Sequence, residues 1–304
     1  MQHLFPYAPA ICYSGFRDGQ QPGGLVPSYE QVREDLRILQ EDWKYLRIYD
    51  VDEHAEVVFE VIEKEEMDFE VMLGAYILAE VNNPECPWGA WYTDEQLAQS
   101  RVYNDERMRK LVHLANRYAD CVFSVSIGNE ATVDWTDHLI PTERVVEMAD
   151  YVKTHTDKPV TFCENYLPWL TKLEPLVEVL DFISIHTYPL WEYKHIDEAL
   201  AYTQQNFYEV ANRYPDKPVV ITEAGWATAS NGRGMEAYNA NQHHQDRYLA
   251  ELMNWTRNED ILCFVFEAFD ENWKGSPDPL EPEKHWGIYD VHRQRKTPEV
   301  SYKL

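Results

Sequence analysis

A chain of 304 residues, 44% of them hydrophobic, is long enough and apolar enough for one large core or two ordinary ones. Its 53 acidic and 27 basic residues leave a formal net charge of -26. A surface so acidic repels phosphate backbones, anionic lipid heads and anionic polysaccharides, which argues against nucleic acid and membranes as partners and favours a neutral substrate.

Five cysteines in no paired spacing read as buried free thiols, and no CxxC or Cys/His cluster suggests a structural zinc site. Met1–Pro9 has neither a basic region nor an apolar core of signal-peptide type, and no run of about 18 apolar residues suggests a membrane span. The expectation is a monomer, cytoplasmic if the chain is complete and periplasmic or secreted if a leader has been removed. The 10 Trp and 20 Tyr suit stacking platforms for sugar rings, but composition alone slightly favours a large core.

In chain order, the first apolar run predicts a strand over Ala10–Gly15. Ser28-Tyr29-Glu30-Gln31 then has capping-box form, and Val32, Leu36 and Leu39 share one helical face. A strand over Tyr45–Asp50 precedes a helix marked by Ala55, Val58, Phe59 and Ile62, and a strand over Glu70–Ile77 precedes one marked by Met108, Leu111, Val112 and Ala115. The strand over Val122–Asn129 is followed by the helical face Val145, Met148, Ala149 and Val152. Strands over Val160–Asn165 and Phe182–Tyr188 come next, then a helix carrying Leu200, Thr203, Phe207, Val210 and Ala211. A strand over Val219–Ala224, a helix carrying Tyr248, Leu249, Leu252 and Trp255, and a strand over Ile261–Phe269 complete the series. Lys158-Pro159 and Lys217-Pro218 each stop a helix and feed a strand.

Most of these runs are rich in Val, Ile, Phe and Tyr without clean alternation, as strands covered on both faces must be. Strands alternating with helices imply parallel pairing, and eight such units in about 250–300 residues predict an α/β fold, a (β/α)8 TIM barrel, as a single domain over residues 1–304. A doubly wound open sheet is the alternative. It calls for a phosphate loop after the first strand, and Gly15, Gly19, Gly23 and Gly24 do not form G-x-G-x-x-G.

On this barrel the chemistry gathers at the carboxyl ends of the strands. Glu130 ends strand four after Asn129, and Glu223 ends strand seven before Gly225-Trp226. Two carboxylates facing each other across the mouth are what a retaining glycosidase needs, one to attack C1 and one to protonate the leaving oxygen. Glu130 is the candidate general acid/base and Glu223 the candidate nucleophile. Asn129 is placed to bond a substrate hydroxyl, Trp226 to wall the sugar and Tyr188 to orient the nucleophile. Each glutamate alone reads more readily as a solvated strand end or a member of a buried ion pair; the pair together points to catalysis. No HExxH or facial triad is present, and neither a metal nor a cofactor is expected. His243 and His244 read as a surface pair on a helix.

Gly128-Asn129-Glu130, Thr222-Glu223-Ala224-Gly225-Trp226 and the run from Phe266 to Lys274, which ends Phe-Asp-Glu-Asn-Trp-Lys, resemble the family 17 glycoside hydrolases of bacterial type. These are β-1,3-glucanases and β-1,3-glucan glucosyltransferases. Ile11-Cys12-Tyr13-Ser14-Gly15 is similar to the family's first strand and Leu46-Arg47-Ile48-Tyr49-Asp50 to its second, so the likeness runs from about Ala10 to Trp286. It implies Glu130 as acid/base, Glu223 as nucleophile, and Glu271 and Lys274 as active-site groups that bond sugar hydroxyls. Tyr13, Arg47, Tyr49 and Trp273 complete the candidate substrate-binding set with Asn129, Tyr188, Trp226 and Glu267.

Glu267 departs from plant members, which carry a small residue there; it enters the cleft or pairs with Arg47. Trp88, Trp91, Tyr92, Trp135, Trp169 and Trp191 lie in strand-to-helix loops, as sugar platforms or packed anchors. Trp88, Trp91, Trp135 and Trp169 are candidates to wall off one end of a pocket for short oligosaccharides. The expected activity is retaining hydrolysis of β-1,3-glucosidic bonds in neutral β-glucan oligo- or polysaccharides. A transglycosylase using the same two glutamates and a non-catalytic glucan-binding barrel are the alternatives, and the presence of both carboxylates argues against the last.

Overall fold

The computed structural model describes residues 4–296; Met1–His3, the start of the segment read for a leader, lie outside the described residues. In chain order the elements are β1 (Ala10–Cys12), α1 (Tyr29–Leu39), β2 (Tyr45–Ile48), α2 (Glu53–Lys64), β3 (Glu70–Gly74), α3 (Asp94–Arg117), β4 (Val122–Asn129), α4 (Thr142–His155), β5 (Val160–Asn165), α5 (Tyr166–Thr171), α6 (Glu174–Val179), β6 (Ile183–His186), α7 (Ile196–Arg213), β7 (Val219–Gly225), α8 (Gln242–Asn258) and β8 (Cys263–Phe266). The eight strands pair in sequence order, all parallel, and β8 closes onto β1 with Ala10 opposite Phe264. The (β/α)8 barrel expected from the alternation is the observed fold.

Period-two alternation along each short strand sends side chains into two separate apolar shells. Ala10, Cys12, Tyr45, Met72, Cys163, Phe182, Val220 and Phe264 fill the barrel. Ile11, Leu46, Ile48, Leu73, Ile183 and Ile221 point outward, against the helix faces that carry Val32, Leu36, Val58, Leu111, Val145, Phe207 and Leu249. Both faces of every strand are therefore covered, which is why the sequence shows apolar runs rather than alternation.

The helix starts follow the local chemistry. Ser28 caps α1 in a complete capping box with Gln31, Thr93 and Gln96 do the same for α3, and His195 and Glu198 for α7. Asp52 and Asn241 accept backbone N–H groups at the starts of α2 and α8. The crossover between β5 and β6, for which the sequence predicts no helix, holds two six-residue helices, α5 and α6. Neither is long enough to show a helical period, and Pro168 and Pro175 lie within them.

Several strands stop short of the apolar runs that predict them. The run to Ile77 leaves the sheet after Gly74, and the run to Phe269 after Phe266. Residues past these points turn outward and build the mouth. Two glycines there allow close approach: a Cβ on Gly225 would stand 2.0 Å from the Phe266 carbonyl oxygen, and one on Gly128 would stand 2.7 Å from Ile77 and Phe162. Both lie beside the candidate carboxylates. No described helix is long and apolar enough to cross a membrane. All five cysteines are free thiols, and four are buried.

Candidate active site

Four strand ends bring the central group together. Glu130 follows β4 with φ +44°, its N–H donating to the Cys163 carbonyl at 2.9 Å. Glu223 lies in β7, His186 ends β6, and Arg47 points inward from β2. One oxygen of each glutamate and one nitrogen of His186 all lie within 4.8 Å of one another. Inverting enzymes hold their carboxyl groups about 6.5–9.5 Å apart to admit a water, and retaining enzymes about 5–5.5 Å. Measured between nearest oxygens, this pair falls on the close side.

Glu223 is held from both oxygens. Oε1 accepts from Arg47 Nη1 and from the Tyr49 hydroxyl at 3.0 Å; Oε2 accepts from the Tyr188 hydroxyl at 2.5 Å. Burial pushes its acidity toward the neutral form, but the charges of His186 and Arg47 and the hydrogen bonds from Tyr188 and Arg47 outweigh it, and the pKa falls to about 2. Glu223 is thus held in its anionic form. Burial, with the Glu223 charge next, holds Tyr188 well above its ordinary pKa and keeps it a neutral donor. Arg47 also donates from Nη2 to Asn129 Oδ1 at 2.5 Å, which ties Asn129 to the nucleophile's own anchor.

His186 is absent from the site read in the sequence. Its Nδ1 stands 2.8 Å from Glu130 Oε1 and 3.4 Å from Glu223 Oε2. Burial opposes its charge, yet the Glu223 carboxylate, Cys163 and Glu130 raise its pKa to about 10. Glu130, His186 and Glu223 are the one group among the described residues close enough to share a metal ion. The His186 nitrogen that faces both glutamates is Nδ1, at 2.8 and 3.4 Å, and with the imidazole protonated there a metal would have to displace that proton. Glu164, behind Glu130 on β5, was also missed. Its carboxylate accepts from Thr132 N and Oγ1 at 2.9 and 2.7 Å and from Asn165 N at 2.6 Å. Burial and the Glu130 charge raise its pKa to about 7. A polar residue on a buried strand was the available signal for both.

A second group follows β8. Lys274 Nζ lies 2.6 Å from Glu267 Oε2 and 2.8 Å from Glu271 Oε2. Glu271 Oε1 accepts from Ser14 Oγ at 2.7 Å and from Trp273 Nε1 at 2.9 Å. Phe266 joins this group to the first: its ring is 5.6 Å from Tyr188, and Lys274 Nζ lies 4.8 Å from its centroid. In the i, i+3 pair of Glu271 and Lys274 the carboxylate is fully covered and the lysine is half-buried. Glu267 pairs with Lys274 and not with Arg47, whose guanidinium is taken by Glu223 and Asn129.

Two expected substrate contacts are corrected. Tyr13 follows the outward face of β1 and is fully buried, donating its hydroxyl to Asp35 of α1 at 3.2 Å. Trp226, also fully buried, lies in the outer shell beside Tyr248 and donates Nε1 to the Asn239 carbonyl at 2.9 Å. Trp169 cannot wall a pocket either: it is buried, with Nε1 on the Ser184 carbonyl. Trp191 is half-buried against Trp286. Trp88, Trp91, Trp135 and Trp273 are exposed. His243 is exposed, while His244 is half-buried with Nδ1 2.9 Å from the Asn239 carbonyl.

Comparison with known proteins gives a consistent set. The BtgE/BtgC glycoside hydrolase domain matches residues 10–287. "Probable glucan endo-1,3-beta-glucosidase btgC" of Aspergillus clavatus is 24% identical over 294 residues, covering 89% of this chain and 39% of that protein. The chain thus spans about two fifths of that relative's length. An endo-laminarinase from Formosa Hel1_33_131 superposes with a TM-score of 0.79 at 25% identity, over 93% of this chain and 83% of that one. The family 17 β-1,3-glucanosyltransferase of Rhizomucor miehei has the same fold, with a TM-score of 0.74 at 21% identity over 98% of both chains.

Proposed function

The chain belongs to the family of the BtgE/BtgC glycoside hydrolase domain, and from that premise we propose that it is a retaining glycoside hydrolase that cleaves β-1,3-glucosidic bonds in neutral β-glucans or their oligosaccharides. The observation that carries this reading is the approach of Glu130 and Glu223 to within 4.8 Å across the barrel mouth. That spacing leaves no room for the water an inverting enzyme places between sugar and base.

Glu223 attacks C1 as an anion while Glu130 gives its proton to the glycosidic oxygen, which leaves as a hydroxyl. Glu130, now a carboxylate, takes a proton from water, and the oxygen of that water displaces Glu223 from C1. A sugar hydroxyl in place of that water would give transfer by the same residues. Asn129 turns its carbonyl oxygen to Arg47, so its NH2 end is the one left to bond a substrate hydroxyl. Glu271, Lys274 and Trp273 bind hydroxyls beyond the reacting ring. The β-1,3 linkage rests on the names of the relatives, and the net charge of -26 suits a neutral polymer.

The test is proton NMR of laminari-oligosaccharides during the first turnovers. Early β-anomer is expected. Early α-anomer, or no cleavage of any β-1,3-linked substrate, would overturn the reading.

A further inference from the structure

Glu130, the proton donor of the proposed reaction, has an unusual backbone. It stands at φ +44°, in the left-handed region that few residues other than glycine adopt. Such a conformation persists only where its surroundings fix it. The strand before it is irregular as well: the three steps from Ser126 to Asn129 on β4 match only the two from Thr161 to Cys163 on β5. An extra residue of this kind re-aims the side chains beyond it. Ser126 Oγ mends the ladder, donating to the Gly128 carbonyl at 2.7 Å and accepting from Cys163 N at 3.2 Å.

The end of β5 grips the residues just past this bulge. Glu130 N donates to the Cys163 carbonyl. Two residues on, Thr132 donates both its N–H and its hydroxyl to Oε2 of Glu164, at 2.9 and 2.7 Å. Oε1 of Glu164 accepts from Asn165 N at 2.6 Å, which fixes the carboxyl group in turn. Glu164 cannot touch a sugar. Cys163 points into the barrel, so Glu164 leaves the opposite face of β5, and its side chain is fully buried. A carboxylate placed where burial and the charge of Glu130 both oppose it needs a reason.

Building on the proposed glycosidase activity, we propose that Glu164 is a positioning residue: its carboxylate clasps the turn after β4 and holds Glu130 in the left-handed conformation that aims it at the glycosidic oxygen. The β4–α4 loop supplies the remaining holds, Ile140 N on the Ala131 carbonyl at 2.8 Å and His138 Nε2 2.9 Å from the Asn129 carbonyl oxygen. Glu164 ties the turn to a different strand, so the place of the proton donor is set by the barrel and not by its own loop. Proton transfer needs hydrogen-bond reach, and a misplacement of about 1 Å can cost about 100-fold in rate.

The test is Glu164→Met, which keeps the length of the side chain and removes all three acceptor contacts. On laminarihexaose, whose leaving sugar needs a proton, kcat/KM is expected to fall by about 10–100-fold. On dinitrophenyl β-laminaribioside, whose leaving group needs none, kcat/KM is expected to stay near the wild-type value. There kcat and KM fall together, because a misaimed Glu130 is also a poor base and the glycosyl-enzyme accumulates. Thr132→Val, which removes one bond and leaves the carboxylate in place, gives the same pattern in smaller measure should Glu164→Met fail to fold. Thr132→Ser keeps the hydroxyl and restores the activity on laminarihexaose. Equal losses on both substrates, no loss on either, or a Thr132→Ser as impaired as Thr132→Val overturn the clasp while wild-type activity upholds the glycosidase. A wild-type chain inert toward both substrates overturns the glycosidase reading and the clasp with it.

Discussion

Nδ1 of His186 stands 2.8 Å from Oε1 of Glu130, so one buried imidazole bridges the strand ends that carry the two candidate catalytic carboxylates. His186→Gln removes the cation that, after burial, acts most strongly on Glu223. Burial then raises the Glu223 pKa, and the acid limb of kcat/KM moves to higher pH. An acid limb that stays in place, with only kcat reduced, would show that His186 acts by packing alone. The same groups set a stability window. Glu223 falls from 4.5 to about 2 on folding, so its contribution is present above pH 4.5 and lost as pH falls toward 2. His186 rises from 6.5 to about 10, so its contribution is present below pH 6.5 and lost as pH climbs through 10. The Tm difference between wild type and His186→Gln should be widest between about pH 4.5 and 6.5.

Glu223→Gln should lose activity by at least about four orders of magnitude, the scale on which covalent nucleophiles matter, with its circular dichroism unchanged. Glu130→Ala should lose activity on substrates with poor leaving groups and keep more on activated aryl glycosides. Azide, which needs no general base, should restore turnover and appear as a β-glycosyl azide. Near-normal activity in Glu223→Gln would remove that residue from the mechanism.

Lys274 is the shared cation of Glu267 and Glu271, both buried. Lys274→Met should destabilise the chain by about 3–5 kcal/mol near neutral pH, as losing one member of a buried ion group does. Glu267→Gln should cost far less. Burial, and Glu271 beside it, already hold the Glu267 pKa well above the carboxylate range, so the amide resembles the form present. Urea titration of the two variants near neutral pH checks both statements.

Trp226 and Trp273 part company in their effects. Trp226 is fully buried between β7 and α8, and Trp226→Ala should cost about 3–5 kcal/mol of stability as a large core deletion. Trp273 is 37% exposed and bonds Glu271. Trp273→Ala should leave Tm nearly unchanged and raise KM for the glucan. A Trp226→Ala protein of normal stability with a raised KM would return Trp226 to the cleft.

The chain of apolar runs and amphipathic stretches carries the barrel, because hydrophobic periodicity is a local property and eight βα units have one common way to close. Glu130 and Glu223 were legible for the same reason: a charged residue ending an apolar strand stands out in a line of text. The sequence does not tell which side of the wall a residue past a strand end takes. Tyr13 and Trp226 sit in motifs beside site residues, yet the outward phase of β1 and the turn after Gly225 send both into the helical shell. Partners distant in sequence were equally hidden. Arg47 bonds Glu223 across 176 positions and His186 meets Glu130 across 56, and closure of the barrel alone sets those distances. The charge state of the site was decided there too, since burial and opposing charges act through space, and only the folded mouth brings one arginine, one histidine and two glutamates within reach of each other.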